Sequence, residues 1–174
     1  GEVLTTTVAA DGSWSVTPAV PLPDGAVSFA VSTTDAAGNQ AAVSVNVQVD
    51  TVALASITVN SVTADNIINA AESGQTIAVT GRAGGEAKAG DTVTLLINGN
   101  AYTGTLAPDL SYSIDVAGSD LAADTTIDAS VLVTDAAGNT ATGTTVHVHA
   151  VDTVATGAPT VVITEDANND GRLG

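Results

Sequence analysis

Cysteine is absent from this chain of 174 residues. That removes the disulfide staple of many extracellular β-domains, along with thiol catalysis and Cys-based zinc sites. Aromatic residues make up only 2%, so a core has to be assembled from Val, Ile, Leu and Ala. Small side chains bury less apolar area per residue, and such a core is thin. Basic residues are scarce too: 3 Lys and Arg stand against 19 Asp and Glu, for a net charge of −16. This balance repels nucleic acid and anionic membrane surfaces and invites divalent cations.

No run is long and apolar enough to span a bilayer, so direct membrane insertion is not expected. The start, Gly1-Glu2-Val3-Leu4, lacks the basic region and apolar core of a signal peptide. The chain reads as beginning in mid-repeat, which places any targeting signal on a longer parent. Catalytic signatures are missing as well, with no Gly-x-Ser-x-Gly elbow and no phosphate-cradling glycine loop. His147 and His149 lie two apart on one alternating strand without a third His or Cys ligand, and read as solvent-facing. Paired carboxylates would need a cleft that these short loops do not suggest. An enzyme is not expected.

What is present is a repeat. Thr34-Asp35-Ala36-Ala37-Gly38-Asn39 returns as residues 134–139, each copy between alternating apolar runs. Asp at the first turn position accepts backbone N–H bonds, the alanines tolerate the αR positions, and Gly supplies the positive φ that closes a longer hairpin. Residues 1–16 align with 99–114 at an offset of 98, which puts Trp14 and Tyr112 in one structural slot. The offset grows to 100 at the hairpin and 102 at Val49-Asp50-Thr51-Val52-Ala53 against residues 151–155, as two small loop insertions would produce. The organisation that follows is 1–50 as the C-terminal half of one unit, 51–152 as a complete unit, and 153–174 as the start of a third.

Within the complete unit, strands are expected at 55–62, 76–80, 92–97, 101–106, 111–116, 126–134 and 141–151, with Asn98-Gly99 as a type I′ turn. Short strands at this density predict an all-β chain of tandem immunoglobulin-like β-sandwich repeats of about 100 residues, with a closed barrel as the alternative. Trp14 and Tyr112 read as core or rim packing. Asn69-Ala70-Ala71-Glu72 reads as a capping box over a single helical turn.

Three motifs together carry a family resemblance. Val-Asp-Thr precedes each new unit, Asp-Ala-Ala-Gly-Asn closes it, and Ile67-Ile68-Asn69-Ala70-Ala71-Glu72 comes early in the complete one. The combination resembles the bacterial Ig-like repeats of giant type I-secreted adhesins, the RTX and biofilm adhesins. The resemblance implies an extended extracellular rod of similar domains that projects a terminal ligand-binding module, with Ca²⁺ at the joints. The usual joint of that family, Asp-Thr-Thr-Ala-Pro, is replaced here by Asp50-Thr51-Val52-Ala53-Leu54 and Asp152-Thr153-Val154-Ala155-Thr156.

The candidate ligands are acidic. Asp166-Ala167-Asn168-Asn169-Asp170-Gly171 has oxygen donors at positions 1, 3 and 5 and Gly at 6, the first half of a calcium loop, but on a strand-like scaffold. Asp166, Asn168 and Asp170 are therefore candidates with Asp152 at the second joint, the alternative being a plain Asn/Asp turn. At the first joint the candidates are Asp50, Asp65 and Glu72. Asp35 and Asp135 open type I turns, where an aspartate is usually structural, and they enter the set behind the others. An Ig-like topology also turns the last hairpin's tip toward the pole opposite the chain's exit. The expected role is a spacer in a cell-surface adhesin, monomeric, partnered by neighbouring repeats and calcium. A carbohydrate- or surface-binding module, or an accessory domain of a secreted enzyme, are the alternatives.

Overall fold

The computed structural model describes residues 2–157. Residues 2–24 contain no strand, and β1 (Gly25–Thr34) and β2 (Gln40–Val49) then form an antiparallel hairpin. Its register sets Val27 opposite Val47, Phe29 opposite Val45 and Val31 opposite Val43, so the period-2 pattern gathers all these apolar side chains on one face. Trp14 is 48% exposed.

The second unit follows as β3 (Ala55–Val59), β4 (Ile67–Asn69), a 3₁₀ turn at Glu72–Gly74, β5 (Thr76–Gly85), β6 (Thr92–Ile97), β7 (Asn100–Thr105), β8 (Ser111–Ala117), a short helix α1 (Gly118–Ala123), β9 (Thr126–Thr134), β10 (Thr140–Val148) and β11 (Ala150–Asp152). One sheet has the order β3-β5-β8 and the other β10-β9-β6-β7, while β11 pairs in parallel with β4. Two sheets face to face make the sandwich that the alternation predicts, not a closed barrel. Val79, Ile114 and Val116 on one side meet Val93, Leu95, Ile97, Ile127, Val131 and Val133 on the other, all essentially inaccessible. Each such side chain contributes roughly 1.5–3 kcal/mol by leaving water.

Three details differ from the sequence reading. The first expected strand ends at Val59 rather than at 62, and a further short strand, β4, follows Asn66, whose left-handed φ of 60° redirects the chain. The second continues past Thr80 to Gly85, through Gly81, Gly84 and Gly85. His147 and His149 do not share a solvent-facing strand: the ladder is interrupted at His149, which is 3% exposed with its Nε2 on the Leu121 carbonyl at 2.7 Å, while His147 is half-buried. The Asn98-Gly99 turn has φ of 50° and 75°, as a type I′ turn requires.

Tyr112 is the buried aromatic of the unit, and its hydroxyl donates to the Thr58 carbonyl at 2.8 Å. Gly81 is what permits this crossing. A Cβ there would lie 2.0 Å from the Thr58 oxygen and 2.5 Å from the Tyr112 hydroxyl. Backbone cannot retreat as a flexible side-chain end can, so Gly81→Ala is expected to cost about 1–3 kcal/mol in urea unfolding. A neutral substitution would contradict this packing.

Candidate metal centre

Strand direction decides which loops meet. β3 runs away from the pole where the unit begins, β5 returns to it, and β9 returns again, as the antiparallel registers require. The loop after β5 and the hairpin after β9 therefore close on the segment that links the two units. Asp50 from that segment, Glu86 from the loop and Asp135 from the hairpin bring their carboxylate oxygens within 4.8 Å of one another.

Each carboxylate is held by backbone. Gly85, at φ 74°, lets the chain turn back on Leu54, where Glu86 donates its N–H to the Leu54 carbonyl at 2.8 Å and accepts the Leu54 N–H on its carboxylate at 2.8 Å. Asp135 is only 6% exposed and accepts from the Asn139 backbone N–H at 2.8 Å and side-chain amide at 2.7 Å. That amide also donates to the Asp50 carbonyl at 3.0 Å, a bond across the joint. Asp50 accepts the Val52 N–H at 3.4 Å. The Lys88 ammonium donates to the Thr134 carbonyl at 2.8 Å, which ties the loop to the hairpin.

Three carboxylates in one place repel, and each retains lone pairs that these bonds leave free. Such a set of hard oxygens suits Ca²⁺, which takes six to eight oxygen ligands and completes its shell with water. Glu86 was not among the residues singled out from sequence. The signal was topological: in an Ig-like sandwich the loop between these two strands shares a pole with the last hairpin.

The other expected ligands lie elsewhere. Asp35 sits at the tip of the β1–β2 hairpin, ten residue pairs from Val49 and so about 30 Å from Asp50. It accepts from Asn39 backbone and side chain at 2.8 Å each, as Asp135 does from Asn139, but it is exposed. Asp65 caps its own turn, accepting from the Thr63 hydroxyl at 2.9 Å and the Ile67 N–H at 3.1 Å. Glu72 accepts the Asn69 N–H and Asn69 accepts the Glu72 N–H, both at 3.0 Å, the reciprocal box read from sequence. Asp65 and Glu72 belong to the opposite pole, where Asp152 pairs with Asn69 in the β11–β4 register. Asp152 accepts the Val154 N–H at 3.3 Å, a turn like that of Asp50. Asp166, Asn168 and Asp170 fall outside the described residues. An open concavity lined by Asn60, Thr80, Arg82, Ser111 and Tyr112 lies on the flank, and Tyr112 is too buried to offer a stacking platform there.

A family model described as bacterial Ig-like domain matches residues 1–51. A bacterial immunoglobulin-like domain from the M. primoryensis ice-binding adhesin is 52% identical, with a TM-score of 0.56, over 58% of this chain and 100% of that one. The chain belongs to the bacterial immunoglobulin-like domain family. Two larger structures are similar to this Ig-like chain. A Ca²⁺-stabilized adhesin with which an Antarctic bacterium binds ice is 50% identical, with a TM-score of 0.59, over 76% of this chain and 33% of that one. A 1.5-MDa bacterial ice-binding adhesin, in a structure concerned with host cell surface retention, is 44% identical, with a TM-score of 0.58, over 75% of this chain and 43% of that one. The chain thus spans less than half of either. No curated protein matches it significantly. Among the described residues no helix is long and apolar enough to cross a membrane.

The Asn139 bonds hold the Asp135 carboxyl below the ordinary carboxylate range. A depressed folded value adds stability that is fully present above the unfolded value, about 3.9, and is lost as pH falls through the folded one. Titration of Asp135 by carbon NMR is expected to show this depression and to show it shrink in Asn139→Ala. An unchanged titration in the variant would contradict the assignment.

Proposed function

We propose that this chain is a structural extender of a bacterial cell-surface adhesin, whose Ig-like units are stiffened at their joints by Ca²⁺. The observation that carries the reading is the meeting of Asp50, Glu86 and Asp135 at the link between two units. A cation held by all three binds only the docked arrangement, so its affinity becomes joint rigidity by linkage. Without it the carboxylates push the joint open. The similarity to a Ca²⁺-stabilized adhesin supports the choice of metal.

The same chemistry extends along the repeat. Asp152 takes the part of Asp50 at the next joint, where Asp166, Asn168 and Asp170 are the candidate ligands of the following unit. Asp35 faces a preceding unit as Asp135 faces Asp50. Asp65 and Glu72 act as turn caps, with any metal role secondary. The surroundings fit the extracellular face of a bacterium, where calcium is plentiful and a chain without cysteine needs another means of stiffening. The wider role is cell adhesion and biofilm formation by a type I-secreted RTX adhesin, in a chain that works as a monomer, without catalysis, and partnered by its neighbouring repeats.

Small-angle scattering of the chain in millimolar calcium and in EDTA tests this. The maximum dimension is expected to be larger and better defined with calcium, and the difference to vanish in Glu86→Gln/Asp135→Asn. A dimension that ignores calcium in the wild type would overturn the reading.

A further inference from the structure

The trailing pole of the complete unit carries Asn98-Gly99, the one Asn-Gly pair in the sequence, at the tip of the β6–β7 hairpin. Both residues are exposed. Open space lies where a Cβ of Gly99 would be, and among the described residues its N–H makes no hydrogen bond. The Gly99 nitrogen is therefore unhindered beside the Asn98 side chain. That side chain, however, is fastened to α1. Asn98 donates its backbone N–H to Asp124 at 3.0 Å and its Nδ2 to Asp120 at 3.2 Å. Asp120 also accepts from the Asn100 amide at 2.8 Å and from the Tyr102 hydroxyl. Three neutral donors of one hairpin grip this carboxylate and hold it below the ordinary carboxylate range, Tyr102 first, then Asn98 and Asn100.

An asparagine followed by glycine is chemically labile. When base removes the proton of the Gly99 nitrogen, the electron pair left there attacks Asn98 Cγ, the bond from Cγ to Nδ2 breaks, and Nδ2 leaves as ammonia. Water then opens the succinimide at either carbonyl, giving aspartate or isoaspartate. The net change is water consumed and ammonia released. Departure of Nδ2 requires its bond to Asp120 to break, so that carboxylate acts as a brake. We propose that Asn98 is a deamidation site whose rate Asp120 restrains and whose product unfastens the β6–β7 hairpin from α1. A carboxylate at position 98 has no N–H to offer Asp120, and it repels both Asp120 and Asp124. Isoaspartate also inserts an extra backbone carbon into a tight turn of fixed geometry. The inference stands apart from the extender reading, since all these groups lie within one unit.

Peptide mapping by mass spectrometry of the full 174-residue chain, aged in mildly alkaline buffer, tests the site. Aspartate and isoaspartate are expected at position 98 before any other asparagine of the described residues converts. Asp120→Ala is expected to speed that conversion roughly tenfold, the effect of losing one hydrogen bond to a charged acceptor. Tyr102→Phe takes a different donor from the same carboxylate and leaves the Asn98 bond in place, so it is expected to keep the wild-type rate. Conversion elsewhere first, a wild-type rate in Asp120→Ala, or equal acceleration in both variants would overturn the proposal. Thermal unfolding reads the consequence separately. Asn98→Asp is expected to lower the melting temperature of the complete unit by about 4–8 °C. Asn98→Asp/Asp120→Asn, which exchanges carboxylate and amide across the same contact, is expected to recover most of that loss. A single variant as stable as the wild type, or a double variant no more stable than the single, would overturn it as well.

Discussion

The structure depends on a parity constraint. The unit takes in its chain at one pole and releases it at the other, and its antiparallel strands reverse direction at each turn. Alternate loops must therefore come back to the leading pole, whatever their sequences. Glu86 and Asp135 reach Asp50 for that reason alone, although 36 and 85 residues separate them from it (86 − 50 and 135 − 50). Like charges brought together by topology cost free energy in the folded state, and they persist where something compensates. Here neutral donors compensate in part, from Asn139 and the Leu54 N–H, and a divalent cation would complete the balance.

The two poles solve the same problem with different chemistry. At the leading pole, the contact between units combines the carboxylates of Asp50, Glu86 and Asp135 with the amide bond of Asn139 to Asp50, and Thr51 donates its N–H and hydroxyl to Asp24 across the same boundary. At the trailing pole, Asn66 and His147 bind first segment to last with neutral groups, and His149 anchors the strand to the Leu121 carbonyl. One unit thus meets its neighbour through carboxylates and closes its far end with neutral groups.

Much of this was legible in the sequence where pattern and period coincide. The duplicated Thr-Asp-Ala-Ala-Gly-Asn hairpin, the alternating valines around it, and Asn98-Gly99 each carry their structure in local chemistry. The capping box at Asn69 and Glu72 was likewise readable, because both partners lie within one turn. What was not legible depends on distant neighbours. The strand's continuation past Thr80 through Gly81 has no local signal, since the reason for that glycine is the close approach of Tyr112 and Thr58. His149 looks solvent-facing, since nothing local shows that the ladder is interrupted there and that the Leu121 carbonyl waits beneath. Glu86 carries no motif at all, and only the shared pole of its loop and the last hairpin marks it. Asp65 and Glu72 were drawn toward Asp50 by nearness in sequence, whereas strand direction puts them at the far end.

The central claim is that carboxylates from both sides of a joint share one cation. A crystal structure of the chain grown in millimolar calcium tests it most directly. The account predicts a cation with oxygens of Asp50, Glu86 and Asp135 at about 2.3–2.6 Å, the coordination distance of Ca²⁺. Ordered water alone among those three side chains would contradict it.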